Sequence, residues 1–181
     1  MSNPLSIKSS SGPAVPLVVE PLSGQHDRSV FCCGEEALDR YFREQAGQDL
    51  RRRIAAPFVL LRRDTGAVVG FYTLANTAID ASRLPSDLTR KLPQYPLIPA
   101  TLLGRLAIDQ RNHGQKLGEF LLLDALCRSL QTSQQVASFA VVVEAKNASA
   151  AAFYTKYGFM AFADAPKKLF LPMKTIEALF T

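Results

Sequence analysis

The seven residues SFAVVVE, positions 138–144, constrain the fold more than any other segment. A short, continuously apolar run with three valines in succession reads as a strand buried on both faces, and such strands lie inside sheets covered by helices. The flanking sequence agrees. Gly114–Leu130 is apolar around most of a helical projection, with Lys116, Glu119, Asp124, Arg128 and Gln131 gathered on one side, so the spacing predicts a long, mostly buried helix. After the strand, Asn147 is placed to cap a helix over Ala148–Tyr157, and Gly158 to end it.

The rest of the chain supplies further strands. Val15–Val19 reads as an edge strand, and Pro57–Arg62 and Ala67–Ala75 as a pair turning at Asp64-Thr65-Gly66. Glu35–Leu50 has helical spacing and is followed by Arg51-Arg52-Arg53, where the helix dipole favours cations. Asp80–Pro99 is a proline-punctuated insert with a short helix expected over Pro85–Lys91. Thr101–Ile108 reads as a strand, and Phe159–Ala163 and Lys168–Met173 as two closing strands. The expected class is α/β, a mixed sheet with helices on both faces. Residues 1–14, rich in Ser, Pro and Gly, read as a flexible tail, and 15–181 as a single domain.

Composition narrows the function. No apolar run reaches the roughly 20 residues that span a bilayer, and the N-terminus lacks the layout of a signal peptide, so no membrane association and a cytoplasmic location are expected. Cys32, Cys33 and Cys127 form no disulfide framework. His26 and His113 have no ligand spacing with them, so no metal is expected. The formal charge is +5, and seven arginines between Arg40 and Arg63 stand against Glu44 and Asp49 alone, a local +5. A basic segment of this kind attracts polyanions such as RNA, although a solvated helix end has the same composition.

Two segments carry chemistry. From Leu106-Ala107-Ile108 the chain passes through Arg111, His113, Gly114, Gln115 and Lys116 to Leu117 and Gly118, a strand–loop–helix path with two glycines. The free N–H groups of a helix start, with the dipole behind them, suit a pyrophosphate, and Arg111 or Lys116 can add charge. The second segment, NASAAAFYTKYGF from Asn147, places Tyr154 on a helix whose first turn is all small residues. A phenol with a pKa near 10 can protonate a departing thiolate. Either segment alone also suits an ordinary connection and a core tyrosine.

Together, Arg-x-x-Gly-x-x-x-Gly after a strand and Asn–small residues–Phe-Tyr-x-x-x-Gly-Phe about thirty residues on resemble the GNAT acetyltransferase superfamily. The resemblance implies splayed central parallel strands with acetyl-coenzyme A in the gap. The backbone of Leu106 and Ile108 would hold the pantetheine and thioester, and a backbone N–H at that strand's end would meet the oxyanion. Arg111 to Gly118 would wrap the pyrophosphate, Asn147 would sit beside the cofactor, and Tyr154 would protonate the sulfur. Lys116 stands where the pattern usually has a small residue.

Cys33-Gly34, Leu38-Asp39-x-Tyr41-Phe42, Gly70-Phe71-Tyr72 and Leu103-Gly104-Arg105-Leu106-Ala107 look like the acetyltransferase toxins of toxin–antitoxin pairs. These acetylate the α-amino group of aminoacyl-tRNA, are neutralised by ribbon-helix-helix antitoxins and usually form homodimers. The resemblance makes Arg51, Arg52, Arg53 and Arg105 candidates for tRNA contact, with Glu144 a candidate to order a water for the amine. An acetyltransferase for a small amine or a protein N-terminus, and an inactive coenzyme-A-binding interaction module, are the alternatives.

Overall fold

The computed structural model describes residues 16–181. The tail expected over 1–14, and Val15, lie outside the described residues. A seven-stranded sheet has the order β1-β2-β3-β4-β5-β7-β6, built from Leu17–Pro21 (β1), Ala56–Arg62 (β2), Val68–Asp80 (β3), Leu97–Ile108 (β4), Ala140–Glu144 (β5), Met160–Phe162 (β6) and Ala165–Pro172 (β7). Its helices are Glu36–Arg40 (α1), Ala46–Arg52 (α2), Ser86–Thr89 (α3), Leu117–Ser133 (α4), Ala148–Lys156 (α5) and Met173–Leu179 (α6).

Contacts gather into two compact units. The first holds the described residues up to Leu74 together with Arg105–Ala125. Here β1 and β2 pair antiparallel from Leu17↔Arg62 to Pro21↔Phe58, and β2 pairs antiparallel with β3. Its core is aromatic. The Phe42 and Phe71 rings stack at 4.1 Å, Phe31 meets Phe42 edge-on at 4.9 Å, and all three are fully buried. A Cβ on Gly70 would come within 2.7 Å of Ile108 Cδ1 and 3.0 Å of the Ala107 carbonyl oxygen and Leu121 Cδ1. The missing side chain is what lets β3, the end of β4 and the start of α4 pack this closely.

The second unit, Ala75–Gly104 with Leu126–Thr181, contains the expected central strand. β5 is buried from Ala140 to Val143, running parallel to β4 and antiparallel to β7. Ile98, Ala140, Val142, Phe162 and Phe170 pack together in its core.

Three departures from the sequence reading have physical causes. The helix expected over Glu35–Leu50 is interrupted by a π turn, Tyr41–Gln45, so α1 and α2 are separate segments. The helix expected from Gly114 begins at Leu117 instead, because Gly114 (φ +80°) and Lys116 (φ +57°) take left-handed conformations that no α-helix admits. Finally, α6 was not expected. The strand expected over Lys168–Met173 ends at Pro172, and Met173 instead opens a helix that buries Met173 and Ile176.

Candidate active site

The loop between β4 and α4 is held by one carboxylate. Asp109 is fully buried, and its Oδ1 accepts from the Arg111 backbone N–H (3.0 Å) and Nε (2.8 Å). Its Oδ2 accepts from Arg111 Nη2 at 2.8 Å and the Cys32 N–H at 3.2 Å. The Asp109 N–H donates to the Val69 carbonyl of β3, and the Gln110 N–H to the Cys32 carbonyl. The Arg111 hydrogen bonds outweigh burial and hold the Asp109 carboxyl down at about 2. Arg111, expected to face a pyrophosphate, thus braces its own loop, although its guanidinium lies at the surface.

Past a short 3-10 turn at Gln110–Asn112, His113 Nε2 donates to the Ile108 carbonyl at 2.8 Å. That oxygen keeps a second lone pair for another donor. The N–H groups of Gly114, Gln115 and Lys116 donate to no other described residue. Three consecutive free donors, bent by two left-handed residues immediately before a helix of 17 residues, form a concavity suited to an anion. The donor set fits a pyrophosphate.

In the second unit, the parallel register of β4 with β5 covers Thr101↔Val141 to Leu103↔Val143, while β5 stays paired with β7 as far as Glu144↔Lys168. Glu144 is exposed at the strand's end. Asn147 is the expected cap: its Oδ1 accepts from the Ala150 N–H at 2.9 Å. Seven residues on, the half-buried Tyr154 packs its ring against Phe153 (5.2 Å) and Phe159 (5.4 Å). Burial pushes its phenol up to about 12. Its hydroxyl makes no hydrogen bond to the described residues, so it stays protonated and free to donate.

Of the expected RNA-contacting arginines, Arg51 and Arg52 are exposed in the last turn of α2, and Arg53 caps it in a left-handed conformation. Arg105 instead stacks on an aromatic ring, its guanidinium carbon 3.5 Å from the centre of the Tyr41 ring. Tyr41 is anchored in turn: its hydroxyl donates to Asp49 Oδ2 at 3.0 Å, and Gln45 Nε2 donates to Asp49 Oδ1. The roles of Tyr41, Asp49 and Asp109 are not legible in the sequence, because Arg105 on the Tyr41 ring and the Cys32 N–H on Asp109 come from distant parts of the chain. Only the Asp-x-Arg spacing of 109 and 111 carried a local signal. Among the described residues no group of three His, Cys, Asp or Glu could hold a metal ion, and no helix is long and apolar enough to cross a membrane.

No protein-family profile matches the chain. Individual proteins do. It is 31% identical over 170 residues to a probable toxin TacT of Sinorhizobium fredii, covering 90% of this chain and 94% of the relative. It is 35% identical over 158 residues to a tRNA-acetylating toxin of Mycobacterium tuberculosis, covering 87% and 93%. The chain belongs to the tRNA-acetylating toxin family. Among solved structures, AtaT complexed with acetyl-methionyl-tRNAfMet superposes with a TM-score of 0.85 at 35% identity, over 91% of this chain and 99% of that one. A tyrosine-to-phenylalanine mutant of KacT matches equally well, with a TM-score of 0.85 at 33% identity over the same shares. The fold is thus that of the GNAT toxins, and relatives of this family have also been solved with acetyl-coenzyme A and with an antitoxin.

Proposed function

We propose that this chain transfers the acetyl group of acetyl-coenzyme A to the α-amino group of an aminoacyl-tRNA, blocking translation in the cytoplasm, and that a ribbon-helix-helix antitoxin silences it. The observation that carries this reading is the match, over nearly the whole length of both chains, to AtaT complexed with acetyl-methionyl-tRNAfMet. Three features of the chain support it: the free donors at Gly114–Lys116, the free hydroxyl of Tyr154 and the exposed arginines of α2.

The chemistry follows from those residues. An α-amine has a pKa of about 7.7–8.0, so much of it is neutral near physiological pH and needs no strong base. Its nitrogen attacks the thioester carbon, a C–N bond forms, and a backbone N–H near the end of β4 meets the oxyanion. As the C–S bond breaks, Tyr154 donates its proton to the sulfur, and the amine loses its own to water. The loop from Arg111 to Gly118 takes the pyrophosphate through its backbone, and Leu106 to Ile108 lie along the pantetheine. Asn147 acts by fixing the start of the helix that carries Tyr154.

Tyr154→Phe is the discriminating variant. A fall in turnover of about 10²- to 10⁴-fold is expected, with acetyl-coenzyme A affinity nearly intact. Unchanged turnover would remove Tyr154 from the reaction. Incubation with radiolabelled acetyl-coenzyme A should label charged but not deacylated tRNA; labelling of a small amine while charged tRNA stays unmodified would overturn the substrate.

A further inference from the structure

We infer that Arg28 and Arg51 form a clamp for a single RNA phosphate above Gly47. This rests on the reading that the amine is carried on RNA, and it adds a residue outside the arginine-rich segment. Arg28 Nη2 and Arg51 Nη1 each reach within 3.5 Å of the point where a Cβ on Gly47 would stand, so at most twice that distance separates them. Two like charges brought together need a reason. Neither forms an ion pair with a carboxylate among the described residues.

Of the acids close in sequence, Glu44 is exposed on the π turn and pairs with neither arginine, and three others are committed elsewhere. Asp27 accepts from the Ser29 hydroxyl (2.6 Å) and N–H (2.9 Å). Asp49 accepts from Tyr41 and Gln45, and Asp39 from the Cys33 N–H. Arg28, meanwhile, is fixed from below. Its Nη1 donates to the Phe42 carbonyl in the π turn at 2.6 Å, and its guanidinium carbon lies 5.7 Å from the centre of the Phe42 ring. Burial and the charge of Arg51 both push the Arg28 guanidinium below its ordinary value. Arg51 reaches the same point from one turn further along α2 and is exposed. Two guanidiniums converging over a residue without a side chain offer several donors to one anion, and forked donors of this kind match phosphate oxygens. The absence of a side chain at Gly47 keeps a Cβ from standing between the two guanidiniums.

The test is binding of deacylated tRNA over a range of potassium chloride concentrations. Arg51→Gln and Arg28→Gln should each weaken binding about five- to tenfold and reduce the slope of log affinity against log salt by about one. The double variant should lose no more than either single one, because one phosphate is lost only once. Gly47→Glu, which sets a carboxylate between the guanidiniums, should weaken binding likewise while raising the melting temperature. Arg51 makes no bond within the fold, so its variant stays informative should Arg28→Gln unfold. Unchanged affinity and slope for Arg51→Gln, or losses that add in the double variant, would overturn the clamp. If wild-type protein acetylates aminoacyl-tRNA while the variants bind as it does, the clamp alone is wrong. Failure of the wild type to acetylate charged tRNA would instead remove the function on which the clamp rests.

Discussion

Lys116 bears a backbone cost that glycine would not. An L residue held at φ +57° is disfavoured by about 1–2 kcal/mol, and such strain persists where a site needs the geometry. Here that geometry exposes the free N–H groups of the loop, and the lysine adds a charge beside them. Lys116→Gly is therefore expected to raise the melting temperature by about 2–4 °C and to weaken acetyl-coenzyme A binding several-fold. Thermal unfolding and calorimetric titration check the two halves; an unchanged melting temperature would show that the left-handed lysine is unstrained. Asp109 makes the opposite contribution. Its folded carboxyl titrates at about 2, below the ordinary 3.8, so its stabilisation is complete above the unfolded value and is lost as pH falls from 3.8 toward 2. The side chain is fully buried, and the difference amounts to about 2 kcal/mol. Acid titration of the unfolding free energy should show the wild type losing that amount across the window and Asp109→Asn losing markedly less. Parallel acid curves would assign the acid sensitivity to other carboxylates.

Among the elements, α5 depends most on one residue. Asn147 satisfies the Ala150 N–H at the helix start through its side chain. Asn147→Ala should cost about 1 kcal/mol and slow acetylation by loosening the helix that carries Tyr154; Asn147→Asp should restore both. Unfolding curves and single-turnover rates decide it. This helix was legible in the sequence because both of its signals, the cap and Gly158, are local. So was β5, whose valines allow little else. The π turn was not legible, since Tyr41 and Phe42 keep helical spacing and the irregularity is held by tertiary partners: Arg28 on the Phe42 carbonyl and Arg105 on the Tyr41 ring. The loop was half legible. Gly114 announced the turn, but the role of Arg111 depended on Asp109 being buried, which spacing does not reveal.

At the scale of the molecule, charge location decides more than charge total. The formal +5 is matched by the +5 between Arg40 and Arg63, so the remainder sums to zero and the field is that of one segment. Within it the arginines divide by task. Arg43 donates to the Phe31 carbonyl and Arg62 pairs with Asp64, so both serve the fold. Arg51, Arg52 and Arg53 are exposed and make no ion pair among the described residues. A long polyanion docked beside the reacting amine draws on such charges through counterion release, each phosphate contact steepening the salt dependence. Replacing the three by alanine should raise the KM for aminoacyl-tRNA at least tenfold at moderate salt and flatten its salt dependence by two to three slope units, or about one per contact. Acetyl-coenzyme A affinity should hold, because the donors proposed for it are the backbone groups of Gly114–Lys116. An unaltered KM across salt would return these arginines to the status of a solvated helix end, and the RNA would then have to be gripped by charges outside α2.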